Sequence, residues 1–243
     1  MKNKWKRRRL SSSQIIMLGF MGVIALGTML LMLPFARAGA GRAPFLDALF
    51  TATSATCVTG LITQDTATYW SAFGQTVILG LIQIGGLGVV TVAVFITKLS
   101  GRKIGLMQRS TMQEAIAAPQ MGGIIRMTGF ILKMVVVIEG IGALALLPVM
   151  VTEFGIGRGI WYAVFHSISS FCNAGFDLMG IKEPYSSLTS YTGSAAVNVI
   201  VMLLIVVGGI GFLTWDDVKR NRLHLRRYRM QSKVVLTVTC LLI

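Results

Sequence analysis

Four stretches of the chain are long, apolar and nearly free of charge: residues 14–36, 66–97, 127–152 and 184–215. Only the third carries any Asp, Glu, Lys or Arg, namely Lys133 and Glu139. A helix needs about 20 apolar residues to cross a bilayer, so each stretch is long enough to span one. The first is not a cleavable signal peptide, because its apolar run far exceeds the roughly 7–15 residues of a signal core and no A-x-A-like cleavage site follows. Two further segments, 45–61 and 159–176, are apolar enough to compete as spans. The first of these reads FLDALFTATSATCVTGL, with hydroxyls at Thr51, Thr53, Ser54, Thr56 and Thr59.

Charge decides how these segments are used. The chain has 23 Lys plus Arg against 9 Asp plus Glu, for a net charge of +14. Nineteen of the 23 basic residues fall in three clusters, at 2–9, 98–133 and 219–233. Basic loops stay on the cytoplasmic side, so the three clusters mark that side and the N-terminus is cytoplasmic. If segments 45–61 and 159–176 crossed the membrane, three crossings would separate neighbouring clusters and put them on opposite faces. An even number is required, so both segments are expected to enter from outside and return there. Irregular backbone at membrane depth is tolerated where protein or a water-filled cavity satisfies it. The competing arrangement is a pair of helices lying on the outer leaflet.

Composition narrows the class. Hydrophobic residues make up 54% and charged residues 13%, with a mean hydropathy of +0.72; a soluble domain carries about 25% charged residues. Disorder and a disulfide scaffold are excluded by the apolar content and by only three cysteines. A nucleic-acid surface is disfavoured because every basic cluster abuts a span and no nucleic-acid motif accompanies it. The expected fold is all-α and polytopic, embedded in a lipid bilayer.

An internal repeat sharpens this. Aligning 45–61 with 161–176 and its preceding residue matches Ala48 with Ala163, Phe50 with Phe165, Ser54 with Ser169, Cys57 with Cys172, and Gly60 with Gly175. The preceding spans end in Leu33-Pro34 and Leu147-Pro148. The following spans share a Gly-Gly-x-Gly-x-x-Thr string, from Gly85 to Thr91 and from Gly208 to Thr214. Each unit is therefore span, re-entrant loop, span, and two units run in parallel. The organisation expected is a basic N-terminus (1–12), a first repeat (13–99), a cytoplasmic linker (100–124) and a second repeat (125–217). A basic linker (218–232) and the start of a third repeat (233–243) follow. The glycine strings are not dinucleotide loops, since they lie inside apolar spans rather than after a strand. They allow close helix approach, with gate flexibility as the alternative.

The loops suggest ion chemistry. A dehydrated monovalent cation needs oxygens in place of its water, and a strand of backbone carbonyls after a pore helix offers them. Such a strand uses glycine where the backbone needs unusual dihedrals. Residues 56–60 (TCVTG) and 171–175 (FCNAG) each end in one glycine. Asp177, just past the second loop, is placed to enrich cations at the outer mouth, whereas Asp47 reads as a helix N-terminal charge.

These strings, with QIGGLG and FCNAGFDLMG, resemble the Trk/Ktr/HKT superfamily of potassium transporters, most of all the Ktr-type membrane subunit of bacteria. The resemblance covers about residues 11–233 and corresponds to the N-terminal half only. It implies potassium uptake across the cell membrane through filter carbonyls, with sodium as a second ion and no cofactor on this chain. Coordination would fall on Cys57, Val58, Thr59 and Gly60, and on Cys172, Asn173, Ala174 and Gly175. The family carries four such units around one pore, pairs as homodimers and is gated by a cytosolic nucleotide-binding regulatory ring. Residues 233–243 open a further apolar segment and stop, so the other two repeats are expected beyond them. Glu139 is expected to pair with another helix or a polar backbone group, and His166 to hydrogen-bond inside the bundle. Nothing in the sequence supports an enzyme or a zinc site. The rival reading is a membrane scaffold that recruits a cytosolic partner through its basic loops without ion flux.

Overall fold

The computed structural model describes residues 11–89, 91–92, 111, 113–114, 124–222 and 224–243. Nearly all of the expected basic N-terminus (1–12) and of the linker (100–124) lies outside the described residues. Those that are described form helices, turns and loops, with no strand among them.

The first span is helix α1 (Ser12–Leu31). Its 20 residues rise about 30 Å, the thickness of a hydrocarbon core. Ser11 and Gln14 form a reciprocal capping box that fixes its start. Helix α2 (Phe45–Cys57) follows and packs between α1 and α4. Its Ala48, Ala52 and Ala55 are fully buried, which an outer-leaflet surface helix would not require. Asp47 in its first turn accepts from Thr63 Oγ1 at 3.0 Å and Gln64 Nε2 at 3.2 Å. The short helix α3 (Thr66–Tyr69) is capped by Asp65, and the apolar helix α4 (Ala72–Leu87) follows.

The second repeat is built on one long element, α5 (Ile124–Phe171), with Gly155 at φ 77 and ψ 171 in its interior. That dihedral pair breaks the helix into two arms, and the second doubles back on the first. Ser167 Oγ donates to Glu139 O at 2.7 Å, 28 residues away in sequence. In a straight helix those residues would stand about 42 Å apart. Gly159 allows the reversal, because a Cβ there would lie 2.6 Å from Val151 Cα. The second arm is thus the counterpart of α2, arriving without an intervening loop.

Helix α6 (Ala195–Gly209) closes the repeat, and α7 (Phe212–Asn221) turns away from it by 90°. Only part of the second and fourth apolar stretches is helix. Residues 184–194 form turns and 3-10 segments instead, as Pro184, Ser186, Ser187 and Gly193 favour. Both closing spans also break within their glycine strings, at Gly88 (φ 81) and Gly211 (φ 81). By length and composition, α1 and the 127–171 stretch of α5 can cross a membrane, as can the bent α6–α7 pair taken as one span.

One core serves both repeats, joining Leu31, Ile78 and Ile82 to Met150, Phe165 and Leu178. Polar bonds cross the same seam: Trp161 Nε1 donates to Gln75 Oε1 at 2.9 Å, and Tyr185 N donates to Asp65 Oδ2 at 3.0 Å.

Helix α8 (Met230–Leu242) is docked through a carboxylate of α7. Asp217 Oδ2 accepts from Arg229 N at 3.0 Å and Ser232 Oγ at 2.6 Å, capping α8 from outside. Asp217 is 3% exposed and Ser232 fully buried, so truncation strands one buried and one half-buried donor. Asp217→Ala is expected to cost about 2–3 kcal/mol. A thermal melt of the purified protein in detergent checks this, and an unchanged midpoint would contradict the docking.

Candidate functional site

Helix α2 and the second arm of α5 end in the same backbone device. In the first repeat, Val58 N donates to Ala55 O at 3.3 Å and Thr59 N to Ser54 O at 3.0 Å. In the second, Asn173 N donates to Ser170 O at 3.1 Å and Ala174 N to Ser169 O at 2.8 Å. These are the same positions under the repeat alignment. The dihedrals agree too: Val58 has φ 57 and Asn173 φ 56, while Gly60 has φ 73 and Gly175 φ 72. A left-handed conformation costs a non-glycine residue about 1–2 kcal/mol, and a β-branched valine takes it up only under constraint. The constraint is the pair of bonds to the helix terminus, which uses the N–H groups and leaves the carbonyls. Among the described residues, no hydrogen bond ends on the carbonyls of Val58, Thr59, Gly60, Asn173, Ala174 or Gly175.

The two loops meet. A Cβ on Gly60 would lie 2.7 Å from Ala174 O and 3.1 Å from Gly175 Cα. Cys57 is exposed and Cys172 half-buried, and both are free thiols, so the matched cysteines form no disulfide. Side-chain support differs between the repeats. Ser54 and Thr59 share a hydroxyl bond of 2.8 Å, whereas Ala174 has no hydroxyl and Ser169 donates to Phe176 O at 2.6 Å instead.

The glycine strings press on the ends of α2 and of the second arm of α5. A Cβ at Gly85 would lie 2.1 Å from Thr56 O, and one at Gly208 only 1.8 Å from Phe171 O. The strings thus serve close approach first, and the break at their third glycine second. Beneath them is a cavity of about 290 Å³ whose walls include Gly88, Thr91, Gly211, Thr214 and Gln231.

Asp177 sits in the loop beyond the second glycine, half-buried, with Oδ1 accepting from Met179 N at 2.8 Å. Burial raises its pKa, the Met179 N–H opposes that, and Asp65 adds to the rise. It lines a cavity of about 210 Å³ with His166, Ser169 and Asn173. His166 is 2% exposed and satisfied at both nitrogens, by Tyr162 O at 2.7 Å and by Leu178 N at 3.2 Å. Both contacts hold in the neutral imidazole with the proton on Nδ1.

Sequence reasoning missed several residues that place this site. Asp65 takes up three donors around α3 and reaches Tyr185 across the seam. Gln75 holds three carbonyls of the first outer loop and receives Trp161. Lys182 pairs with Glu153 and lies 4.3 Å from the Tyr191 ring centre. The available signal was weak: an isolated polar residue at the edge of, or inside, a long apolar run.

The family described as TrkH, cation transport protein, matches residues 3–237. The potassium/sodium uptake protein NtpJ of Enterococcus hirae is 43% identical over 98% of this chain and 51% of its own length. The Ktr system potassium uptake protein B of Bacillus subtilis is 42% identical over 98% of this chain and 52% of its own. Its namesake in Vibrio alginolyticus is 35% identical over 95% and 49%. The chain spans about half the length of these curated relatives.

Proposed function

The chain belongs to the TrkH family of cation transport proteins, and from that premise we propose that it supplies two of the pore-lining segments through which potassium enters the cell. The observation that carries this is the pair of matched left-handed segments with hydrogen-bond-free carbonyls. In this reading Cys57, Val58, Thr59 and Gly60 face the ion together with Cys172, Asn173, Ala174 and Gly175. Their carbonyls replace its hydration shell, and the pore helices spend their last turn holding the strands in shape. Asp177 adds negative charge at the outer mouth, moderated by its raised pKa. Further segments of the complete protein close the ring, and the basic clusters face the cytoplasm.

Sodium assistance, a homodimer and gating by a cytosolic nucleotide-binding subunit belong to the same proposal. A relative named for potassium/sodium uptake supports the sodium part, and relatives named for a Ktr system support a further subunit. The test is uptake by the complete protein in a bacterium lacking its own potassium uptake. Growth at low external potassium is the expected result. Purified protein in liposomes that passes neither potassium nor rubidium would overturn the proposal.

A further inference from the structure

Glu139 lies in the first arm of α5, within a span, and is 7% exposed. Both of its carboxylate oxygens accept from one group, Gln83 Nε2 of α4, at 3.0 and 3.1 Å. Cys172 Sγ, in the first residue of the second filter segment, is 4.0 Å from Oε1. Ser167 of the second pore helix donates to its backbone carbonyl. The carboxylate is therefore wedged where the return span of one repeat meets the span and filter of the next.

Among the described residues, no Lys, Arg or His pairs with it. Lys133, on the same helix, is exposed and about 9 Å away along the axis. Gln83 Oε1 is buried without a partner while its amide N–H₂ forks onto both carboxylate oxygens. A protonated carboxyl would offer that oxygen its hydroxyl in a cyclic acid–amide pair. In this arrangement both oxygens accept, as those of an ionised carboxylate do. Repeat symmetry does not demand the charge either. Aligned on the Leu-Pro ends, Glu139 corresponds to Ala25 in α1; aligned on the glycine strings, Gln83 corresponds to Val206 in α6.

A buried anion within a span is strongly unfavourable unless a positive charge compensates it. We propose that the compensating charge is the transported monovalent cation. Glu139 acts behind the second filter segment as a fixed counter-charge that raises cation occupancy there. It contacts the filter only through Cys172, so it acts on cation affinity through the field rather than as an ion ligand. This rests on reading Cys172–Gly175 as a filter.

The test is rubidium uptake by the complete protein in proteoliposomes, with thermal melting measured on the same preparations. Glu139→Gln is expected to need about tenfold more cation for half-maximal uptake. Glu139→Asp, which keeps the charge, is expected to lie between it and the wild type. Combining Glu139→Gln with Gln83→Glu returns a carboxylate to within one hydrogen bond of its original place and is expected to restore half-saturation to within about threefold. Wild-type half-saturation in Glu139→Gln would overturn the proposal alone. So would an exchange variant as impaired as the single one, with a matching loss of melting temperature, since Glu139 would then be a helix pin. Absence of uptake by the wild type would overturn the filter reading, and this inference with it.

Discussion

In the complete protein, Gly208→Ala is expected to displace the proposed second pore helix and remove cation uptake, and Gly85→Ala to do the same to the first. A methyl group at 208 would stand 1.8 Å from Phe171 O, and at 85 it would stand 2.1 Å from Thr56 O. Neither obstacle is the end of a flexible side chain. Each is a main-chain carbonyl in the last turn of a pore helix, one residue before the segment that begins at Cys57 or Cys172. Relief requires the pore helix or the span to shift, and overpacking of this kind costs about 1–3 kcal/mol or more. The movement is transmitted to the carbonyls beyond it, so uptake falls further than stability alone would make it. Gly80→Ala is the control within α4, because nothing lies within 4 Å of a Cβ there. Alanine at that exposed position gains about 0.8–1 kcal/mol of helix propensity. Parallel melting curves and rubidium uptake for the three variants decide the matter. A Gly208→Ala protein that melts and transports like Gly80→Ala would refute the packing.

Those glycines show how much of the architecture was legible and where legibility stopped. Charge-free runs located the spans because a hydrocarbon solvent leaves no other place for them. The positions of 19 basic residues led, by parity alone, to reading two ambiguous segments as re-entrant loops. What periodicity could not supply was the corner at Gly155, since one glycine in an apolar run carries no local mark of a reversal. The breaks at Gly88 and Gly211 were hidden in the same way: a glycine string reads equally as a close contact or as a bend, and here it is both. The seam bonds of Asp65, Gln75 and Gln83 depend on the rotation of each helix about its axis. That rotation is set by the whole core rather than by any local window. Absence of charge does not mark where helix begins in 184–215, because turn-forming residues rather than hydropathy decide the backbone of 184–194.

The two filter glycines, equivalent by sequence, are unequal by geometry, and substitution should separate them. Both hold φ near +72, so serine at either pays the left-handed penalty of about 1–2 kcal/mol. A Cβ on Gly60 also lies 2.7 Å from Ala174 O and 3.1 Å from Gly175 Cα, both backbone atoms of the other filter segment. On Gly175 the nearest atom is Gly60 Cα at 3.3 Å, a distance that a shift of a few tenths of an ångström relieves. Gly60→Ser therefore deforms two segments and Gly175→Ser chiefly its own. If carbonyl spacing sets the preference for potassium, Gly60→Ser should lower the potassium-to-sodium uptake ratio by about tenfold or more, equivalent to about 1.4 kcal/mol. Gly175→Ser should lower it by clearly less. Paired rubidium and sodium tracer uptake in proteoliposomes measures both ratios. Equal ratios in the two variants would show that the close approach of Gly60 to Ala174 plays no part in ion choice. Unchanged ratios in both would remove the two segments from the filter altogether.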